Sequence, residues 1–142
     1  MQTRIAGRRG RNWPLESRAW TPNSAGRRVV EALHAWGYER FDEEAVRAVV
    51  KLLVTAAVDD GGAHLSLHLT DHQDHALVLV LGSGPRTGRP DDGSLLHAVA
   101  AQGAADCGTE SAQDGRRRWA LLSLTSSVPA DLPKALPQNA TP

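Results

Sequence analysis

Residues 42–81 read DEEAVRAVVKLLVTAAVDDGGAHLSLHLTDHQDHALVLVL, and along this stretch the spacing of apolar residues changes. Val46, Val49, Val50, Leu53 and Ala57 recur at intervals of three and four, the stripe of an amphipathic helix. Asp42 offers a capping carboxylate, Glu43 and Glu44 suit the positive end of a helix dipole, and Gly61 and Gly62 stop the helix near Asp60. From His64 to Thr70 the spacing falls to two. Leu65, Leu67 and Leu69 share one face, and His64, Ser66, His68 and Thr70 share the other. Asp71 to Asp74 is turn-like, and Ala76 to Leu81 is the unbroken apolar run of a central strand. A helix feeding a half-buried strand and then a wholly apolar one calls for a sheet covered by helices.

The flanking sequence extends this plan. A short strand is expected within 13–20. Thr21 and Pro22 then open a helix as capping hydroxyl and first-turn proline; it runs to about Trp36 with Val29, Val30, Leu33 and Trp36 on its apolar side, and Gly37 ends it. Residues 82–93, GSGPRTGRPDDG, read as a loop, and 94–102 as a short alanine-rich helix. A glycine-broken stretch over 103–115 holds the weaker of two final strands, and Arg116 to Leu124 holds the stronger. The order β-α-α-β-β-α-β-β predicts an α/β two-layer sandwich, a mostly antiparallel mixed sheet with about three helices on one face. Residues 1–12, with Arg4, Arg8, Arg9 and Arg11 among glycines, are expected to form a disordered basic tail, and 13–125 the domain. Residues 126–142, with four prolines, are expected to form a flexible tail.

The chain has 142 residues, enough for one domain, and 41% of them are hydrophobic. Its 16 basic and 16 acidic residues balance, which argues against a dedicated nucleic-acid or membrane-surface protein. The lone Cys107 excludes an internal disulfide, and no apolar run approaches the roughly 18–20 residues that span a bilayer. The N-terminus lacks the apolar stretch of a signal peptide. A cytoplasmic protein is expected.

Several clusters invite a chemical reading. His64, His68, His72 and His75 lie among Asp71 and Asp74, but on a strand His64 and His68 stand roughly 13 Å apart, too far to share a zinc ion. A solvated hairpin is expected instead, with no metal. Gly82-Ser83-Gly84 follows a strand, yet a dinucleotide fingerprint needs glycine where Thr87 stands, and Pro85 and Pro90 delay any helix. A nucleophile elbow needs glycines where Leu81 and Pro85 stand. Arg116-Arg117-Arg118 reads as a solvated face or as edge protection, with Arg116 and Arg118 pointing one way and Arg117 the other. Nothing near Cys107 argues for a reactive thiolate.

The stretches SAGRRVVEALHAWGY (24–38), LLVTAAVDDG (52–61), GSGP (82–85), DGSLLH (92–97) and GRRRWA (115–120) together carry a resemblance. Over roughly 18–124 the chain resembles the GHKL, or Bergerat-fold, ATPases. It is most similar to the small histidine-kinase-like ATP-binding regulators of actinobacteria, relatives of the anti-sigma-factor serine kinases. In that family the second helix ends in a motif like E-L-V-T-N-A-V-x-H-G, whose glutamate is the base and whose asparagine binds magnesium; here Leu52 and Ala56 stand at those places. The family's adenine-binding aspartate corresponds to Gly82, with Gly84 two residues on, and of its phosphate lid only Gly93 clearly remains.

The resemblance therefore implies a pseudo-enzyme. Leucine accepts no proton, alanine gives magnesium no oxygen, and phosphoryl transfer depends on positioned charge. A non-catalytic regulatory module is expected, with no cofactor and no catalytic residue. Its partner would be a sigma factor, an anti-sigma antagonist or a second copy, and neither nucleic acid nor membrane is expected. Leucines such as Leu52 and Leu96 are expected to fill the old pocket. One alternative is a genuine ATP-binding protein or kinase of the same family that uses substitutes such as Asp59, Asp60, Asp91 or Asp92 around magnesium. Another is an unrelated α/β ligand- or metal-binding domain built on the histidine hairpin.

Overall fold

The computed structural model describes residues 9–61, 64–83, 92–112 and 115–125. The chain runs β1 (Gly10–Leu15), α1 (Thr21–Ala35), α2 (Glu43–Asp59), β2 (Leu65–His72), β3 (His75–Gly82), α3 (Asp92–Ala101), β4 (Asp106–Ala112) and β5 (Gly115–Ser123). The strands form one sheet in the order β1-β2-β3-β5-β4, with the helices on one face. This is the expected two-layer α/β sandwich.

Every strand pairing is antiparallel, so the sheet is not mixed. The crossover through α3 delivers β4 to the far edge, and β5 returns between β3 and β4, antiparallel to both. The domain also begins earlier than residue 13. Gly10 to Asn12 pair with β2, and Arg9 is anchored as described below, so the expected tail loses its last four residues to the fold. Residues 1–8 and 126–142 lie outside the described residues.

Local chemistry explains the element ends. Asp42 caps α2 by accepting from the Ala45 N–H at 3.0 Å. Thr21 does not cap α1; Trp20 occupies that position, and the buried Thr21 hydroxyl donates to the Glu16 carbonyl. Gly37, at φ +99°, ends α1. The Tyr38 N–H reaches the Leu33 carbonyl and the Gly37 N–H reaches the His34 carbonyl, a Schellman motif. Gln73 and Asp74 both have positive φ, which makes the β2–β3 turn a two-residue connection. The strand therefore continues through Asp71 to His72, where a turn was expected.

Alternation sorts the sheet's two faces. Leu65, Leu67, Leu69, Ala76, Val78, Val80, Ala120 and Leu122 face the helices and are buried. They meet Val29, Val30 and Leu33 of α1 and Val49, Val50, Leu53 and Ala57 of α2 in one core. α2 lies on β3 and β5 between α1 and α3.

Candidate functional site

The inner stripe of α2 is spent on the core. The adjoining stripe, one helical step around, carries Leu52 and Ala56 four residues apart and so on the same side. Leu95 of α3 comes over to meet them. The result is an open cleft of about 510 Å³ between the two helices, lined by Ala48, Lys51, Leu52, Thr55, Ala56, Asp59, Leu95 and Gln102. Leu52, Ala56 and Leu95 are half-buried, whereas Lys51, Thr55 and Asp59 are exposed. The middle is thus apolar, with one cation and one anion along the rim. Leu95 lines it rather than Leu96, whose carbonyl lies 3.7 Å from the Cys107 sulfur.

The remaining positions of interest are scattered. Gly82 ends β3 and is buried. A Cβ built there would lie 3.4 Å from the Ala57 Cβ and 3.4 Å from Leu65 Cδ2, so a side chain at this position would enter packed core. Gly93 is exposed in the first turn of α3, and nothing lies within 4 Å of a Cβ built on it. Gly84 and Asp91 lie outside the described residues. Leu52 and Ala56 thus put no side-chain oxygen or nitrogen into the cleft, and position 82 faces packed core.

Asp60, the C-cap residue of α2, is also committed. Arg118 Nη2 donates to its Oδ2 at 2.9 Å, and Arg118 is 2% exposed. A cation beside the last turn of a helix is further favoured by the helix dipole. Here the expectation for the basic triplet is corrected. β5 is an inner strand, so it has no edge to protect. Arg116 and Arg118 share the helix-facing side of the sheet and are buried, and only Arg117 takes the opposite side.

A second buried charge sits at the other end of the same face. Asp71 is fully buried and accepts from the Arg9 N–H (2.7 Å), Arg9 Nη2 (2.9 Å) and the Tyr38 hydroxyl (2.7 Å). Arg9 also donates to the Trp36 carbonyl and lies over the Trp36 and Tyr38 rings. Burial pushes the Asp71 carboxyl up. The hydrogen bonds from Tyr38 and Arg9 and the charge of Arg9 outweigh it and hold the group below its ordinary value. Burial, then the neighbouring Asp71, pushes the Tyr38 phenol up.

The histidines do not converge. His68 and His72 lie on the outer face of β2, while Asp71 faces inward, and His75 pairs across the hairpin with His72. His68 Nε2 is 3.0 Å from the Ser66 hydroxyl. Among the described residues no three histidine, cysteine or acidic side chains are grouped as a metal would require. Burial, followed by the nearby Asp106, pushes the Cys107 thiol up, the opposite of nucleophile activation. No helix among the described residues is long and apolar enough to cross a membrane.

No protein-family model and no curated protein matches the chain.

Proposed function

We propose that this protein is a non-catalytic binding module that holds a protein partner through the cleft between α2 and α3, on a frame resembling the anti-sigma-type ATP-binding regulators. The observation behind the proposal is the lining of the cleft. Leu52 and Ala56 stand where a base and a magnesium ligand would serve a nucleotide, and with Leu95 they present a strip of apolar surface instead. Lys51 and Asp59 stand eight residues apart on α2, about 12 Å along the helix axis. An apolar strip with one charge of each sign along its rim suits an amphipathic helix laid in a groove. The partner classes implied by the resemblance, a sigma factor or an antagonist of one, are regulatory proteins of the cytoplasm, and the module would act there by sequestration.

The test is a photo-crosslinking residue at Thr55, which is exposed on the rim. Expressed in cells, it is expected to trap one protein, identified by mass spectrometry. Leu52→Glu in the same protein is expected to abolish that adduct while leaving the circular dichroism spectrum unchanged. An adduct unaffected by Leu52→Glu, or no adduct at all, contradicts this function.

A further inference from the structure

The helices cover only one side of the sheet. Opposite them, the strand registers line the outward side chains into three rows that cross all five strands. One row is Pro14, Ser66, Leu81, Arg117 and Glu110. The middle row is Asn12, His68, Leu79, Trp119 and Gly108. The third is Gly10, Thr70, Leu77, Leu121 and Asp106.

The middle of this face is apolar. Leu77, Leu79 and Leu81 form a column along β3, with Trp119 and Leu121 beside them on β5. Leu77 is 38% exposed and the other four are half-buried. The Trp119 ring lies down on Gly108, where an added Cβ would come within 2.7 Å of it. The tryptophan thus widens the apolar strip toward β4. The acids Glu110 and Asp106 stand only at the β4 border, and Glu110 pairs with Arg117 at 4.0 Å.

We propose that this face is a self-association surface, on which a second copy of the chain packs sheet to sheet about a twofold axis running along β3. Three features favour a second copy as the occupant. β3 is the third of five strands, so an axis along it lays two sheets of equal width fully over each other. Five strands about 4.8 Å apart and about 20 Å long give a footprint near 480 Å² per copy, or about 960 Å² over both, at the lower limit for a biological interface and in the range of weak association.

Charge then selects the axis. With the axis along β3, β4 of one copy lies over β1 of the other. Asp106 and Glu110 then face Gly10 and Pro14, which carry no charge. With an axis across the strands, Asp106 and Glu110 would stack on each other's copies, an unfavourable like-charge contact. The axis along β3 also places Leu121 over Thr70 of the second copy, at the mouth of a hollow of about 370 Å³ lined by Thr70, His72, His75, Leu77 and Leu121. This face lies on the far side of the sheet from the α2–α3 cleft, so self-association is independent of what the cleft holds.

Sedimentation equilibrium of the full chain over about 1–100 μM, the range that resolves a weak dimer, tests the proposal. A dimer is expected. Leu79→Glu, which sets two carboxylates against each other at the axis, is expected to give a monomer with an unchanged far-ultraviolet spectrum. Leu79→Cys in a Cys107→Ser background tests the axis, because Leu79 meets its own copy there. Packed sheets lie about 10 Å apart, beyond the reach of a direct disulfide, so a short bifunctional thiol crosslinker is expected to join the two Cys side chains, and to give no dimer from Asp106→Cys in the same background, whose two positions lie at opposite borders. A wild-type monomer throughout the range, whatever else covers the face, overturns the proposal. So does a dimer that persists in Leu79→Glu, or a crosslink from Asp106→Cys in place of Leu79→Cys.

Discussion

Both ends of the sheet's inner face are closed by buried charge, and they are closed differently. At the β2–β3 turn a carboxylate, Asp71, is buried, and its cation, Arg9, has a side chain 45% exposed. At the opposite end a cation, Arg118, is buried at 2% exposure, and its anion, Asp60, is 23% exposed. In each pair the costly member is the inner one, because desolvation penalises whichever charge has left water. Losing the outer partner takes a compensating charge from the buried group, whereas losing the inner one frees a group that can return to solvent. The Arg118 end is also the end where backbone and backbone meet. Gly115, at φ +138°, approaches so closely that an added Cβ would fall on the Gly82 carbonyl.

The largest effect is expected there. Gly115→Ala combines a backbone clash with a forbidden φ and should cost more than about 4 kcal/mol in urea denaturation, if the protein folds at all. Asp60→Ala should follow at about 3 kcal/mol, because it takes a carboxylate from the buried Arg118 guanidinium. Arg118→Met, which removes the buried charge and keeps much of the volume, should cost less than half of that. Equal costs for Asp60→Ala and Arg118→Met would remove the asymmetry.

At the other end Asp71→Ala should cost about 2 kcal/mol, since three hydrogen bonds are lost but Arg9 can turn outward. Its pH dependence carries a definite sign. The folded carboxyl is held below its unfolded value, so its contribution is present above about pH 4 and disappears as the pH falls toward the lower native value. Wild type should therefore lose stability on acidification through that window, and Asp71→Asn should flatten that part of the curve. Tyr38→Phe, which deletes one bond to a charged acceptor, should be milder than Asp71→Ala, at about 1.5 kcal/mol. A Tyr38→Phe loss larger than that of Asp71→Ala would show that the ring, rather than the hydroxyl, holds the clamp.

Both charged ends were present in the sequence, and both were misread for the same physical reason. The alternation Leu65, Leu67, Leu69 continues to Asp71, and Leu122, Ala120 continues back to Arg118 and Arg116. Residue type pulled against period. An aspartate beside Gln73 and Asp74 looks like a turn, and three arginines look like a wet surface, because neither group is buried without a partner. The partners come from far along the chain, Arg9 for Asp71 and Asp60 for Arg118, where spacing does not reach.

Elsewhere local chemistry was enough. The caps at Asp42 and Gly37, the α2 stripe and the succession of elements along the chain were legible because each depends on neighbours within a turn or a hairpin. Leu52 and Ala56 were legible as a pair on one side of α2. That Leu95 rather than Leu96 completes their cleft depends on the phase of α3. The weak apolar periodicity of that short, alanine-rich helix leaves its phase undetermined.

The central proposal is that the cleft between α2 and α3 serves a protein partner and not a magnesium nucleotide. Calorimetric titration of the full chain with ATP and magnesium tests it most directly. The account predicts no binding heat and no shift in the thermal melt at millimolar nucleotide. Saturable binding in the micromolar range, lost when Leu52 or Leu95 is replaced by a bulkier side chain, would contradict it and return the cleft to nucleotide chemistry.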